Sequence, residues 1–168
     1  MSVAGDSARV TVGVAVPPPE AFRIFTEEIE LWWRRGPRFR NARGDRGFIR
    51  IEPGVGGRVF ESFDSGSGER VIEIGRTQVW DPPKRLLFEW RNVNFAPAEH
   101  TEVEVRFQQS PSGTRVTVVH RGWSKLRFDH PARHGLSGAE FTRMIGLWWG
   151  ELLSSLREQT EAGKAFED

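Results

Sequence analysis

Two polar residues fall where the pattern of apolar side chains places a core, and they are the first candidates for chemistry. In "TRVTVVHRG" (114–122), Val116 and Val118 share one side of a strand, and the same period of two carries His120 onto that side. An inward imidazole near a strand end can orient a ligand. A hydrogen-bonded core histidine is the plainer alternative. On 57–63, Val59, Glu61 and Phe63 compete with Phe60 for the inner face. On 70–80, Ile72 and Ile74 share a side with Arg76, Gln78 and Trp80. Either a bulge resets that strand, or Arg76 and Gln78 point inward. A buried guanidinium would then need a carboxylate, such as Glu61, or an anionic ligand.

Other chemistries are poorly served. The absence of cysteine removes disulfides, thiolate metal sites and thiol catalysis. Ser62, Ser65 and Ser67 lack a nucleophile motif, and "GSGE" is a turn without the Lys-Ser/Thr ending of a phosphate loop. His130 and His134 stand four apart beside Asp129, a helical metal spacing, but Pro131 and Gly135 argue for a loop. No metal or cofactor is expected. Without tyrosine, acid–base catalysis would rest on His120, Glu61 and nearby acids, so an enzyme is the weakest of three readings. The arginine-rich "WWRRGPRFRNARGDR" (32–46) suits a solvated loop, an anion clamp at a cavity mouth, or single-stranded nucleic acid. A net charge of +1 gives no pull toward nucleic acid or anionic lipid.

These side chains must be positioned by a recognisable set of elements. The 168 residues suit one domain, with a core over about residues 8–162. "RVTVGVAV" (9–16) alternates as a strand. "PPPEAFRIF" starts a short helix, with proline in its first turn, and "EIELWWRRGPRF" holds a second. Six further strands follow, at 48–52, 57–63, 70–80, 85–91, 101–109 and 114–122. Their connectors, "PGVG", "DSGSGE", "DPPK" and "SPSG", carry turn chemistry, which implies antiparallel hairpins. Ser137 and Glu140 form a capping-box pattern. From there Phe141, Ile145, Trp148, Trp149, Leu152, Leu153 and Leu156 recur at helical spacing. The expectation is an α+β fold: a curved seven-stranded antiparallel sheet wrapped around a long C-terminal helix, with two short helices between strands 1 and 2.

That order resembles the helix-grip fold of the START/Bet v 1-like (SRPBCC) superfamily. Within it the chain is similar to the AHSA1-like family, named after the activator of Hsp90 ATPase. The similarity is carried by Gly75 and "VWDPPKRLLFEWR" (79–91), by "TEVEVRFQQSPSGTRVTVVHRGW" (101–123), by "VTVGVAVPPPEAFRIFT" near the start, and by the tryptophan-bearing terminal helix. More loosely, the Trp32-Trp33 pair is similar to that of small antibiotic-sequestering members. The resemblance implies a fold more than an activity. The eukaryotic namesake engages its chaperone through a separate N-terminal domain, for which this sequence has no room, so chaperone activation is not carried over. The superfamily does imply a cavity between sheet and terminal helix that takes an apolar or amphipathic small molecule.

The expected cavity lining is Phe88, Trp90, Phe107 and His120 from the sheet and Ile145, Trp148 and Trp149 from the helix. Trp80, Arg76 and Glu61 are further candidates. Gly146 and Gly150 flank the helix tryptophans in "GLWWGELL", where each glycine costs about 1 kcal/mol relative to alanine. They serve either close packing against the short helices or space for a ligand. A small hydrophobic ligand is the expected partner. The alternative is a protein-interaction or chaperone-accessory module, anchored by exposed Trp32, Trp33 and Trp123. Monomer and homodimer both stay open. With no long apolar run and no basic-then-apolar start, a cytoplasmic location is expected.

Overall fold

The computed structural model describes residues 6–41, 47–91, 95–96, 99–125, 136 and 138–165. Strand β1 (Ser7–Val14) is followed by helices α1 (Pro18–Glu27) and α2 (Ile29–Trp32). Strands β2 (Gly47–Ile51), β3 (Arg58–Asp64), β4 (Glu69–Asp81), β5 (Arg85–Trp90), β6 (Thr101–Ser110) and β7 (Gly113–Arg121) come next. Helix α3 (Gly138–Ala165) closes the chain. The sheet runs β1-β7-β6-β5-β4-β3-β2, with every neighbouring pair antiparallel. It curls around α3, and the expected α+β helix-grip architecture holds. Ser137, His130 and His134 lie outside the described residues.

The local sequence explains the elements. Prolines open α1, where a missing N–H costs nothing. Its buried face is Ala21, Phe22, Ile24 and Phe25, and that stripe continues through Ile29, Trp32 and Trp33. Helix α3, about 42 Å long at 1.5 Å per residue, buries Phe141, Trp149, Leu152, Leu153 and Leu156. β1 ends at Val14, two residues earlier than the alternation predicts, ahead of the prolines at 17–19.

Strand β4 contains two irregularities, and together they settle the ambiguous alternation. Val59 faces Gly75 but Phe60 faces Glu73, so Ile74 is an extra residue. Thr77 faces Phe88 but Val79 faces Leu87, so Gln78 is another. Each bulge shifts the strand's parity by one. Ile72 is therefore on the inner side opposite Glu61, Thr77 is inward opposite Phe88, and Trp80 is inward opposite Leu86. Arg76 turns outward, is exposed, and pairs with Glu73 at 2.5 Å. It is not part of the interior. On β3, Val59 and Glu61 face inward beside Ile51 and Ile49, while Phe60 lies outside under the guanidinium of Arg58, 4.5 Å from its ring centre.

Glycines behave in two opposite ways. At Gly75 a side chain would place its Cβ 1.6 Å from the carbonyl oxygen of Glu89, so β4 and β5 approach there as only glycine permits. On α3 the close-packing expectation fails. A Cβ on Gly146 would reach only Val10 Cγ2 at 4.0 Å, and one on Gly150 would meet nothing within 4 Å. Opposite outcomes are expected from the same substitution. Gly75→Ala should cost about 3 kcal/mol or more through backbone displacement. Gly150→Ala should stabilise by up to about 1 kcal/mol, raising the melting temperature by roughly 2–4 °C. Thermal denaturation of both variants checks this.

Candidate functional site

Between sheet and α3 lies a group of indoles brought together by three elements, α2, β5 and α3. Trp33, at the end of α2, is its hub. Its ring centre is 5.5 Å from Trp32, 5.9 Å from Trp90, 5.7 Å from Trp148 and 5.6 Å from Trp149. Trp148 and Trp149 meet edge-on at 5.3 Å, and Trp90 lies 5.8 Å from Trp148. Most of these pairs are edge-to-face, the arrangement the ring quadrupole favours. Trp149 is fully buried, whereas Trp148 is half-buried, stacks on Phe39 and donates its indole N–H to the Arg38 carbonyl at 2.7 Å.

Trp32, Trp33 and Trp123 are only 0%, 2% and 3% exposed, which corrects the expectation that they form an external anchor. Phe22, Phe25, Ile29, Trp32 and Trp33 recur at helical spacing, a signal that would have put Trp33 inside.

His120 lies beside this group, 1% exposed, at the centre of one hydrogen-bonded chain. Trp149 Nε1–H donates to His120 Nδ1 at 3.0 Å. An indole N–H only donates, so Nδ1 is an acceptor and the neutral ring carries its proton on Nε2. Nε2–H then donates to Thr101 Oγ1 at 2.7 Å, and Thr101 donates to the Trp90 carbonyl at 3.2 Å. Burial pushes the His120 pKa down to about 3. Both ring nitrogens are occupied and the ring stays neutral near pH 7, so it offers neither a free base nor a metal ligand.

The remaining candidates do not join this set. Phe107 and Trp80 lie under α1, with ring centres 5.1 and 5.2 Å from Phe22. Phe88 is buried on β5 between the two groups, and Ile145 packs from α3. Glu61 is buried on β3, four strand spacings from β7 or roughly 19 Å along the sheet. Its carboxylate accepts the Asn41 backbone N–H at 2.9 and 3.0 Å and the Asn41 side-chain amide at 2.8 Å. His120 and Glu61 therefore do not form an acid–base pair.

Part of the arginine-rich segment proves structural. Arg40 is buried and pairs with Glu30 at 2.8 Å. It also donates to the Trp33 carbonyl at 2.6 Å and the Arg34 carbonyl at 3.2 Å, which fastens the turn that carries Trp33 inward. Among the described residues no cluster of acidic and histidine side chains could hold a metal ion.

One polar group on the inner face stands apart. Thr77 Oγ1 is buried without a hydrogen-bond partner. Thr77, Phe88, Val103 and His120 form one row across β4, β5, β6 and β7.

His120 predicts a pH dependence. Its folded pKa lies below the ordinary 6.5, so below that value the unfolded chain binds the extra proton. Stability should begin to fall as pH drops through 6.5, with a slope approaching about 1.4 kcal/mol per unit. Glu20 and Glu52, held below their ordinary 4.5 by hydrogen bonds from Arg23 and Arg58, act only at lower pH. Denaturant titrations between pH 7.5 and 5.5 should show this slope, and His120→Gln should remove it.

The sequence model described as Activator of Hsp90 ATPase homolog 1-like protein matches residues 15–145. No curated protein matches the chain. Solved structures share its fold at low identity. A crystallised protein of Nitrosomonas europaea is 18% identical with a TM-score of 0.64, covering 97% of this chain and 99% of its own. The Aha1 dimer from Colwellia psychrerythraea, solved in solution, is 16% identical with a TM-score of 0.61, covering 94% and 98%. DynU16, from the dynemicin biosynthetic locus, is 21% identical with a TM-score of 0.62, and the match covers 94% of this chain but 48% of that longer one. With most of its sheet and the start of α3 inside the matched region, the chain belongs to the Activator of Hsp90 ATPase homolog 1-like (AHSA1) family.

Proposed function

We propose that the chain is a non-catalytic binding module that takes a small apolar or amphipathic molecule between the sheet and α3. Family membership supports a ligand-binding or accessory role in general terms. The observation that carries the finer reading is the chemistry of the inner face. Its rings are aromatic, its histidine is neutral with both nitrogens occupied, and the Thr77 hydroxyl is a buried polar atom with no partner. A surface of that kind favours apolar contact with one oriented hydrogen bond. It provides no activated nucleophile and no proton donor near pH 7.

The indoles pack against one another, so binding requires one of them to move. Trp148 is the residue suited to it. It is half-buried, and the Arg38 carbonyl that holds it belongs to the turn after α2 rather than to the sheet. Swinging Trp148 outward would open a path beside Trp33 and Trp90 without disturbing the His120 chain.

Two variants test the reading. Trp148→Ala should bind the apolar fluorophore 8-anilinonaphthalene-1-sulfonate at one saturable site, with energy transfer from the remaining tryptophans, and at least tenfold more tightly than the parent. Thr77→Val should retain the fold and lose any small molecule that native mass spectrometry finds on the parent protein. A parent that carries no ligand, together with a Trp148→Ala variant that binds no fluorophore, would overturn the proposal.

A further inference from the structure

The outer side of α3 carries a feature that the interior reading does not use. Two hollows, of about 490 and 590 Å³, lie on either side of Leu147 and share Gly146 and Leu147 in their walls. The first runs along the free edge of β1, and the second runs toward the turn after α2. They form one oblique trough from Ala139 to Ser154, roughly 22 Å long at 1.5 Å per residue. Leu147, at its centre, is 63% exposed. Gly146 and Gly150 leave its floor open down to the helix backbone, and neither is explained by packing. Two interior glycines cost the helix about 2 kcal/mol relative to alanine, which a partner lying close against the backbone would offset.

The charge of the walls selects that partner. Arg9 and Arg143 line one hollow, Arg34 and Arg38 line the other, and Glu151 is the single carboxylate among the lining residues. Among the lining residues four arginines stand against one glutamate, in a chain whose total is +1. Arg34 Nε binds the Glu151 carbonyl at 2.9 Å and Arg38 pairs with the Glu151 carboxylate at 3.2 Å, which holds both guanidinium groups at the rim. A positive rim around an exposed leucine matches an amphipathic helix with an apolar stripe and acidic flanks. Contact between two copies of this chain across a two-fold axis would set the positive patch against itself.

We propose that this trough docks an acidic amphipathic helix of a partner protein, with Leu147 as its apolar anchor and the four arginines as its electrostatic guide. The test uses the full chain, isotope-labelled, and synthetic peptides of about 18 residues with leucines at helical spacing. One peptide has glutamate at the remaining positions and the other has lysine. The acidic peptide should shift the amide signals of Arg9, Arg143, Gly146, Leu147 and Gly150 saturably, and the basic one should not. Leu147→Glu and the double variant Arg9→Glu, Arg143→Glu should each weaken binding at least tenfold with an unchanged melting temperature. Absence of saturable shifts at these amides, or equal binding by Leu147→Glu, would overturn the proposal. So would equal binding of a single-stranded oligothymidylate, which would make the trough a general anion surface, or a concentration-dependent dimer lost in Leu147→Glu, which would make a second copy its occupant.

Discussion

The chain of hydrogen bonds from Trp149 through His120 and Thr101 to the Trp90 carbonyl is the constraint around which the interior is organised. It joins α3 to β7, β6 and β5 in one direction of proton donation, with no donor left over. A buried polar group without a partner costs about 1–3 kcal/mol, so each member requires the next. The helix cannot rotate or slide without stranding the imidazole between Trp90 and Trp123, whose ring centres lie 5.7 and 4.6 Å from it. Apolar burial holds α3 against the sheet; this chain sets its register there.

The same arrangement fixes what His120 and Glu61 do in this interior. A histidine useful for catalysis needs a nitrogen free to exchange protons near pH 7. Here burial disfavours the charged ring, and two directed bonds fix the tautomer. Glu61, the other candidate, lies on distant β3 and is held there by Asn41. The polar residues that looked chemical are used to fasten the fold, while the Thr77 hydroxyl stays buried without a hydrogen-bond partner.

Charge on the outside is arranged with comparable economy. Glu104 lies on the convex face with three arginines around it, Arg85 at 2.6 Å, Arg106 at 3.2 Å and Arg121 at 3.5 Å. Burial alone would raise its carboxyl pKa, but the hydrogen bond from Arg85 and the neighbouring positive charges bring it below the ordinary value. Arg85 and Arg106 face each other in register, and the shared carboxylate relieves their repulsion. Arginine abundance is therefore absorbed in different places by different work: Arg40 holds a turn, Arg85 and Arg106 hold the sheet face, and Arg34 and Arg38 reach across to α3.

Much of this was legible from residue order alone. Period-two runs, turn residues and one long helical stripe specify hairpins and a covering helix, because each depends only on neighbours a few positions away. His120 could be placed inward for the same reason. Its partners could not, since Thr101 and Trp149 reach it across 19 and 29 positions of sequence and only the folded sheet and helix bring them together. The direction of Arg76 was likewise undecidable, because the bulges at Ile74 and Gln78 exist only in relation to the strands beside them. The role of Gly146 and Gly150 was hidden too: a glycine that avoids a clash and one that leaves open space read the same until the neighbouring atoms are in place. Local periodicity set the elements by itself, and tertiary contact alone decided which polar groups were satisfied, since a hydrogen bond depends on distances that sequence spacing does not contain.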